Sequence, residues 1–477
     1  MLYLLQLLLA WRLGAADYGL YSLGTMTVTV AVLVAGVGLY VGAMRYVAIH
    51  GMADSAERLK ETVLDAGLII AITSSIMGLL LNLSAGWLAE LLNKPGLERV
   101  LKLLAFALPS LALARVLGAI ANGLGKIKYR VLIEDLIPPA AMMISVLLLS
   151  LRRLGLLEAV TAYTLANVLA AAAGIFFVLR ILPRQGRWTT SLAGAKALLL
   201  FSWPTMFVAT LNFLVPRIDV FAVGYFLSSS KVGIYTAANT TTFILGMSLV
   251  SLNLAVSPAF ASLYHNESMD ELSKVYKEGT RWVFLLTLPI FLFLTVAARE
   301  VMGLFGKGFA EGDKVLVLLS VGQLVNILVG SAGYLLIMSG RPKLELANTA
   351  LFTLLKLSLS LVMIPRWGLV GAALSTGISV ALLNLTRLVE VYLLLGIHPY
   401  NLKYLKVVGA GLVSALMAFQ LKAWGRLHLD PTPSALLYPS VMLVSYALIL
   451  YILGIEPEDK RVAMGLLSRF RYALLRR

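Results

Sequence analysis

Apolar runs of about twenty residues, enough helix to cross a hydrocarbon core of roughly 30 Å, recur along all 477 residues of the chain. Nothing else constrains its fold as strongly. In hydrocarbon a backbone amide has no water to bond, so a lone spanning segment must satisfy its own backbone, which only a helix does. The runs predict fourteen helices, near 1–11, 19–43, 62–84, 99–122, 131–151, 157–181, 197–227, 233–262, 280–303, 314–338, 344–364, 368–396, 403–421 and 434–454. The longest connections (44–61, 182–196 and 263–279) are too short to fold alone. With 60% hydrophobic and 13% charged residues and a mean hydropathy of +0.88, the chain lies far from soluble composition. The predicted class is an all-α polytopic membrane protein.

The first run is short. Eleven residues precede Arg12, about 16 Å of helix, and they lack the charged start and small-residue cleavage site of a signal peptide. The expectation is a truncated first helix, with the start codon upstream. The excess of 40 Lys+Arg over 24 Asp+Glu would suggest nucleic acid in a soluble protein, but here cationic loops orient helices. With the C-terminus placed in the cytoplasm, 23 cations fall on the inner side, six of them after residue 459, and 13 on the outer side. Both termini are therefore expected inside, in the plasma membrane. No cysteine occurs, and the four histidines sit at or near loops without ligand spacing. Neither a metal nor a cofactor is expected.

A short phrase is written twice. RLGAADYGLYSLG carries Gly19 and SKVGIYTAANT carries Gly233; the loops GLGKIK and SGRPKL carry Gly125 and Gly340; LGLLEAV and WGLVGAA carry Gly155 and Gly368. Each pair is 213–215 residues apart. Chance likeness of glycine-rich loops is the alternative. As a repeat, the period holds six spans, an even number, so the halves are parallel and related by a pseudo-twofold axis along the membrane normal. The expected organisation is a lobe at 1–181, a second at 182–396 with its linker at 182–196, and two extra helices with a basic tail at 397–477. Two facing lobes around a central cavity is a transporter layout.

WRLGAADYGLYSLG and GVGLYVGAMRYVA in the first half, with VPRIDVFAVGYFLSSSKVGIYTAA and GYLLIMSGRPKLELAN in the second, resemble the polysaccharide-biosynthesis flippases. These are Wzx-type members of the multidrug/oligosaccharidyl-lipid/polysaccharide superfamily. The resemblance implies two six-helix lobes, often with two extra helices, and transfer of an isoprenoid-linked oligosaccharide from the cytoplasmic to the outer leaflet. It also implies an arginine at a cavity mouth, at Arg45 in RYVA, and an acid at Asp219.

A charge at bilayer depth costs about 2.5–3.5 kcal/mol on insertion scales and usually faces a partner or a cavity. Arg115, Arg217, Lys356 and Arg387 fall inside predicted spans, as do Asp219 and Glu390. Arg387 and Glu390, three apart on one face with Asn384, can satisfy each other or contact substrate. Arg217 and Asp219, two apart, point about 200° away from each other. Lys356 lies roughly 18 Å along its helix, too deep to reach the surface, whereas Arg115 can snorkel. Gln323, Asn326 and Asn212 can bond sugar hydroxyls or hold helices together. Glu134, Asp135 and Asp65 read as structural acids in first helical turns. Arg45, Arg217, Lys356 and Arg387 are expected to form a track for a pyrophosphate head, because Asp219 and Glu390 cannot balance them all.

Two other functions fit less well. A multidrug or cation antiporter of the same superfamily calls for an acid-dominated cavity. A membrane glycosyltransferase or polymerase calls for catalytic carboxylates or a long outer loop, and the outer loops here are short. A proton or sodium ion as coupling ion stays open. Because the chain is free of cysteine, a single cysteine near Arg469 tests the orientation. It should resist an impermeant thiol reagent in intact cells and label after permeabilisation; ready labelling of intact cells reverses the topology.

Overall fold

The computed structural model describes residues 1–52, 55–150, 155–401, 403–428 and 431–452. The basic tail and the cations Arg152 and Arg153 lie outside the described residues. Among the described residues the elements are all helical. The first half holds α1 (Leu2–Ala35), α2 (Leu39–Met52), α3 (Ala56–Leu91), α4 (Pro95–Gly123), α5 (Ile127–Arg130), α6 (Ile137–Ser150) and α7 (Leu156–Ile181). Then come α8 (Leu192–Leu214), α9 (Ile218–Phe226), α10 (Ser229–His265), α11 (Met269–Val296) and α12 (Ala298–Gly303). Finally come α13 (Asp313–Val329), α14 (Ala332–Met338), α15 (Pro342–Leu395), α16 (Lys403–His428) and α17 (Pro431–Ile452).

Eleven of the described helical stretches are long and apolar enough to span a membrane. Two of them hold two predicted spans each, joined at a non-helical glycine: Gly14 in α1 (φ 74°) and Gly368 in α15 (φ 58°). Conversely, three predicted spans are interrupted. The run 19–43 breaks at Gly36–Gly38, where Gly38 takes φ +71° and a Cβ would strike the Ser202 carbonyl. The run 197–227 passes through a 3₁₀ turn at Val215–Arg217, because Pro216 supplies no amide hydrogen. The run 314–338 breaks at Gly330 (φ +70°), which leaves room for Thr280.

Packing divides the chain into two compact units. The first comprises Met1–Thr240, Met302–Gly312 and Lys356–Ser375; the second comprises Thr241–Val301, Asp313–Leu355 and the described residues from Thr376 onward. In the second, Phe260, Leu272, Tyr276, Leu335 and Val391 form a buried cluster, and the Tyr276 hydroxyl donates to the Val329 carbonyl at 2.8 Å.

Inside the first unit the repeated phrase meets itself. A Cβ on Gly19 would collide with the Ser229 carbonyl, and a Cβ on Gly233 would collide with the Ala15 carbonyl. Each glycine packs on the backbone four residues before the other, so Ala15-x₃-Gly19 of α1 and Ser229-x₃-Gly233 of α10 form a reciprocal contact. Small residues at this spacing let two helices approach to backbone contact. The second anchor pair also repeats in detail. Gly125 (φ +71°) and Gly340 (φ +82°) end their helices in the left-handed region. In both, the glycine N–H and the next N–H turn back to carbonyls three and five residues earlier, at 2.9–3.1 Å, which caps the helix end. The third pair differs: Gly155 is extended at the start of α7, while Gly368 has positive φ.

Gly19→Ala or Gly233→Ala should each destabilise the protein by about 1–3 kcal/mol, the usual cost of overpacking, because the obstacle is backbone and cannot rotate away. Melting of the purified protein in detergent checks this. Gly67→Ala, where a Cβ meets nothing within 4 Å, should leave the melting temperature at or above the wild-type value.

Candidate functional site

The first unit encloses a cavity of about 790 Å³. Its wall is built from α1, α2, α4, α6, α7 and α8, with the segment between α5 and α6 inserted. That segment, Val131–Leu136, is a π-helical turn, a form that tends to appear at functional positions. It brings Glu134 and Asp135 into the wall opposite Arg115 of α4, with Arg130 one turn before. The Arg130 Nε lies 3.7 Å from Glu134 Oε1. The Glu134 carboxylate occupies the space that a side chain at Gly118 would fill. The Arg115 charge reaches Tyr40, Tyr163 and Glu134. Gln6, Tyr21, Asn122, Asn167 and Asn212 complete the polar part of the lining, and Leu2, Leu5, Leu33, Leu111, Ile133 and Met142 are among its apolar residues.

Arg115, a secondary candidate for substrate contact whose alternative was snorkelling to the surface, lines the cavity. One expectation changes. Glu134 and Asp135, read as first-turn acids, face the cavity. A π turn is not marked by hydrophobic periodicity, so sequence pattern could not show which way these carboxylates point. The one available signal was Gly118, one turn below Arg115 and small enough to admit a side chain from elsewhere.

The remaining candidates lie elsewhere. Lys356 is buried, with its Nζ 3.3 Å from Asp219 Oδ1 and 3.4 Å from the Pro216 carbonyl. Asp219 also accepts the Tyr235 hydroxyl at 2.6 Å and the Val220 amide at 3.0 Å. Tyr235 is the tyrosine of the second repeated phrase. Arg217 is half-buried over the Phe213 ring, 4.3 Å from its centroid, and donates to the Phe213 carbonyl. Arg45 is exposed on α2, 4.2 Å from the Phe201 ring centroid. Gln323 lies against Gly246 of α10, and the Asn326 carbonyl accepts the amide of Gly330 at the α13 break.

Arg387 and Glu390 do not pair. The Arg387 guanidinium grips both oxygens of Glu345, with Nε at 3.0 Å from Oε2, and reaches Asn384 Oδ1 at 3.3 Å. Glu390 accepts from Asn348 Nδ2 at 2.6 Å. The partners come from the N-terminal part of α15, which the turn at Gly368 folds back onto the C-terminal part. Glu345, in the first turn of its helix, was not counted among the membrane acids. With it, Arg387 no longer needs an external anion.

The sequence profile described as polysaccharide biosynthesis protein matches residues 8–311. The chain belongs to that family. Among curated proteins it is similar to the probable low-salt glycan biosynthesis flippase Agl15 of Haloferax volcanii, 26% identical over 40% of this chain and 41% of that protein. It also matches the probable flippase AglR of the same organism (24%, 35% of each chain) and the capsular polysaccharide biosynthesis protein CapF of Staphylococcus aureus (24%, 40% and 49%). The alignments thus span less than half the length of these relatives. Among solved structures, the lipid II flippase MurJ in an inward closed conformation superposes with a TM-score of 0.73 over 94% of this chain and 95% of that one, at 14% identity. An inward-facing multidrug resistance MATE transporter of the MOP superfamily gives 0.65 over 83% and 94%, at 16%. At such identities the likeness concerns the fold. This family member is a multi-pass membrane protein with the transporter fold of that superfamily.

Removing one member of the Lys356–Asp219 pair strands a buried charge, which typically costs about 3–5 kcal/mol. Lys356→Met and Asp219→Asn should each lower the melting temperature of the purified protein sharply. The double variant should recover most of the loss; additive losses would show that the pair does not act as a unit.

Proposed function

We propose that the protein carries a lipid-linked oligosaccharide from the cytoplasmic to the outer leaflet of the plasma membrane for cell-surface glycan assembly, by alternating access. The observation that supports this most is the 790 Å³ cavity among membrane helices, lined by both arginines and neutral hydrogen-bonding groups. Asparagine amides and tyrosine hydroxyls suit sugar hydroxyls, and aromatic faces suit sugar rings. Arginine holds a phosphate oxygen pair bidentately, and an isoprenoid pyrophosphate offers such oxygens. Family membership and the names of the relatives point the same way.

In this reading Arg115 and Arg130 hold the phosphate inside the cavity, while Arg45 and Arg217, which lie over aromatic rings, serve its path. Lys356 with Asp219, Arg387 with Glu345, and Glu390 with Asn348, frame the helices. Coupling to a proton or sodium ion belongs to the same proposal, as does a cytoplasmic C-terminus. A second reading, export of an organic cation, draws on Glu134 and Asp135, which match the two cavity arginines in number.

Turnover of a defined lipid-linked oligosaccharide in proteoliposomes separates the two. Arg115→Ala should slow turnover at least about tenfold, on the order of one charged hydrogen bond, at unchanged membrane abundance, and Arg115→Lys should retain part of it. If Arg115→Ala turns the glycan over normally while Glu134→Gln abolishes efflux of a cationic dye, the second reading stands.

A further inference from the structure

The break at Gly330, between α13 and α14, is buried in the second unit and faces α11. Tyr276 and Thr280 lie one turn apart on one face of α11, both buried. The Tyr276 hydroxyl donates to the Val329 carbonyl at the end of α13. The Thr280 side chain fills the space that a Cβ on Gly330 would take, with Oγ1 its nearest atom. Ser331 follows directly in the chain.

Thr280 is 1% exposed and Ser331 2%, and neither hydroxyl has a hydrogen-bond partner among the described residues. Both depart from the usual behaviour of such residues. Elsewhere in α11, Thr295 donates to the Phe291 carbonyl at 3.0 Å and Thr287 meets the Ser248 hydroxyl at 2.8 Å. Ser331 stands at the N-cap of α14 without capping it, although serine is a favoured cap. A buried hydroxyl without a partner is costly. Two of them at one helix break point to a shared partner from outside the chain.

The charge of that partner follows from the helix ends. The last carbonyls of a helix lack intrahelical donors and form the negative end of its dipole. At the end of α13 the Gly330 amide takes the Asn326 carbonyl at 3.0 Å and Tyr276 takes that of Val329 at 2.8 Å, and each carbonyl keeps a second lone pair. The positive end at the break, the first turn of α14, already meets an anion: Gly333 lies beside Glu345, which Arg387 holds. Arg281, next to Thr280, sits about 100° round the helix, on the face with Lys274 and Lys277. A divalent ion draws on carboxylates, and among the described residues no group of three or more His, Asp or Glu is placed to hold a metal ion. Neutral oxygens at the C-terminal end of a broken membrane helix suit a monovalent cation.

We propose that the Gly330 break binds an alkali-metal cation, coordinated by Thr280 Oγ1, Ser331 Oγ and carbonyl oxygens at the end of α13. The ion ties α11 to both halves of the broken helix. It gives the sodium coupling considered above a location in the chain, while the binding itself does not depend on that reading or on the cargo.

The test uses the full chain purified in detergent and choline chloride, titrated with sodium or potassium chloride at constant ionic strength. Bound radiolabelled sodium and the melting temperature are the readouts. Sodium or potassium should bind saturably and raise the melting temperature, and choline should not. Thr280→Val and Ser331→Ala should each weaken binding at least about fivefold, on the order of one lost oxygen contact. In choline alone both variants should melt at or above the wild type, because neither hydroxyl has a partner to lose. Thr295→Val, which removes a hydroxyl bonded within its own helix, should leave binding unchanged. The proposal fails if neither ion binds saturably, or if Thr280→Val and Ser331→Ala bind like the wild type. It also fails if these two variants lose as much stability in choline as in sodium, which would assign the hydroxyls to a buried water.

Discussion

A charge inside a low-dielectric protein must meet its opposite there, and much of this structure is arranged around that requirement. Lys356 and Asp219 meet at 3.3 Å among residues that exclude solvent. Tyr235 and the Val220 amide also donate to the carboxylate. Pro216 creates the 3₁₀ turn that ends α8 and offers its carbonyl to the lysine. One polar cluster thus joins α9, α10 and α15 and fixes the helix break between α8 and α9. A salt bridge of this kind is weak as a source of stability but demanding in its geometry, because losing either partner leaves a bare ion.

The same rule operates at smaller cost in other places. Lys94, between α3 and α4, donates to the carbonyls of Leu92, Gly224 and Leu227; burial lowers its pKa, and the carbonyls at the end of α9 offset part of that cost. Lys60 donates to the carbonyls of Arg184 and Gly186 and lies 5.3 Å from the Trp188 ring centroid, which secures the connection between α7 and α8. Cations that look alike in sequence, as loop charges setting orientation, therefore do different structural work.

Glycine supplies the complementary device. Where backbone must touch backbone, as at Gly19 and Gly233, the absence of a side chain is the contact itself. Where a helix must stop inside the bilayer, Gly38 and Gly330 permit the turn and also admit a neighbour, Ser202 or Thr280. Gly118 admits a carboxylate in the same way. The repeated phrase is thus two halves of one interface, and its conserved spacing within the chain reflects two helices that have to fit each other.

The sequence by itself determined the helical membrane class, the family and the duplicated phrase, because bilayer thickness and backbone hydrogen bonding leave long apolar runs a single option. It also identified most of the buried charges, since hydropathy makes each one conspicuous. Tertiary structure alone decided who partners whom. Arg387 bonds Glu345, 42 residues away in sequence, in place of Glu390 three residues away, because a hairpin at Gly368 brings a better oriented carboxylate to its fork. Lys356 finds Asp219 across more than a hundred residues. Glu134 and Asp135 turn into the cavity because of a local π turn that periodicity does not encode. Periodicity reports which face of a helix is apolar; it carries no information about which other helix that face will meet.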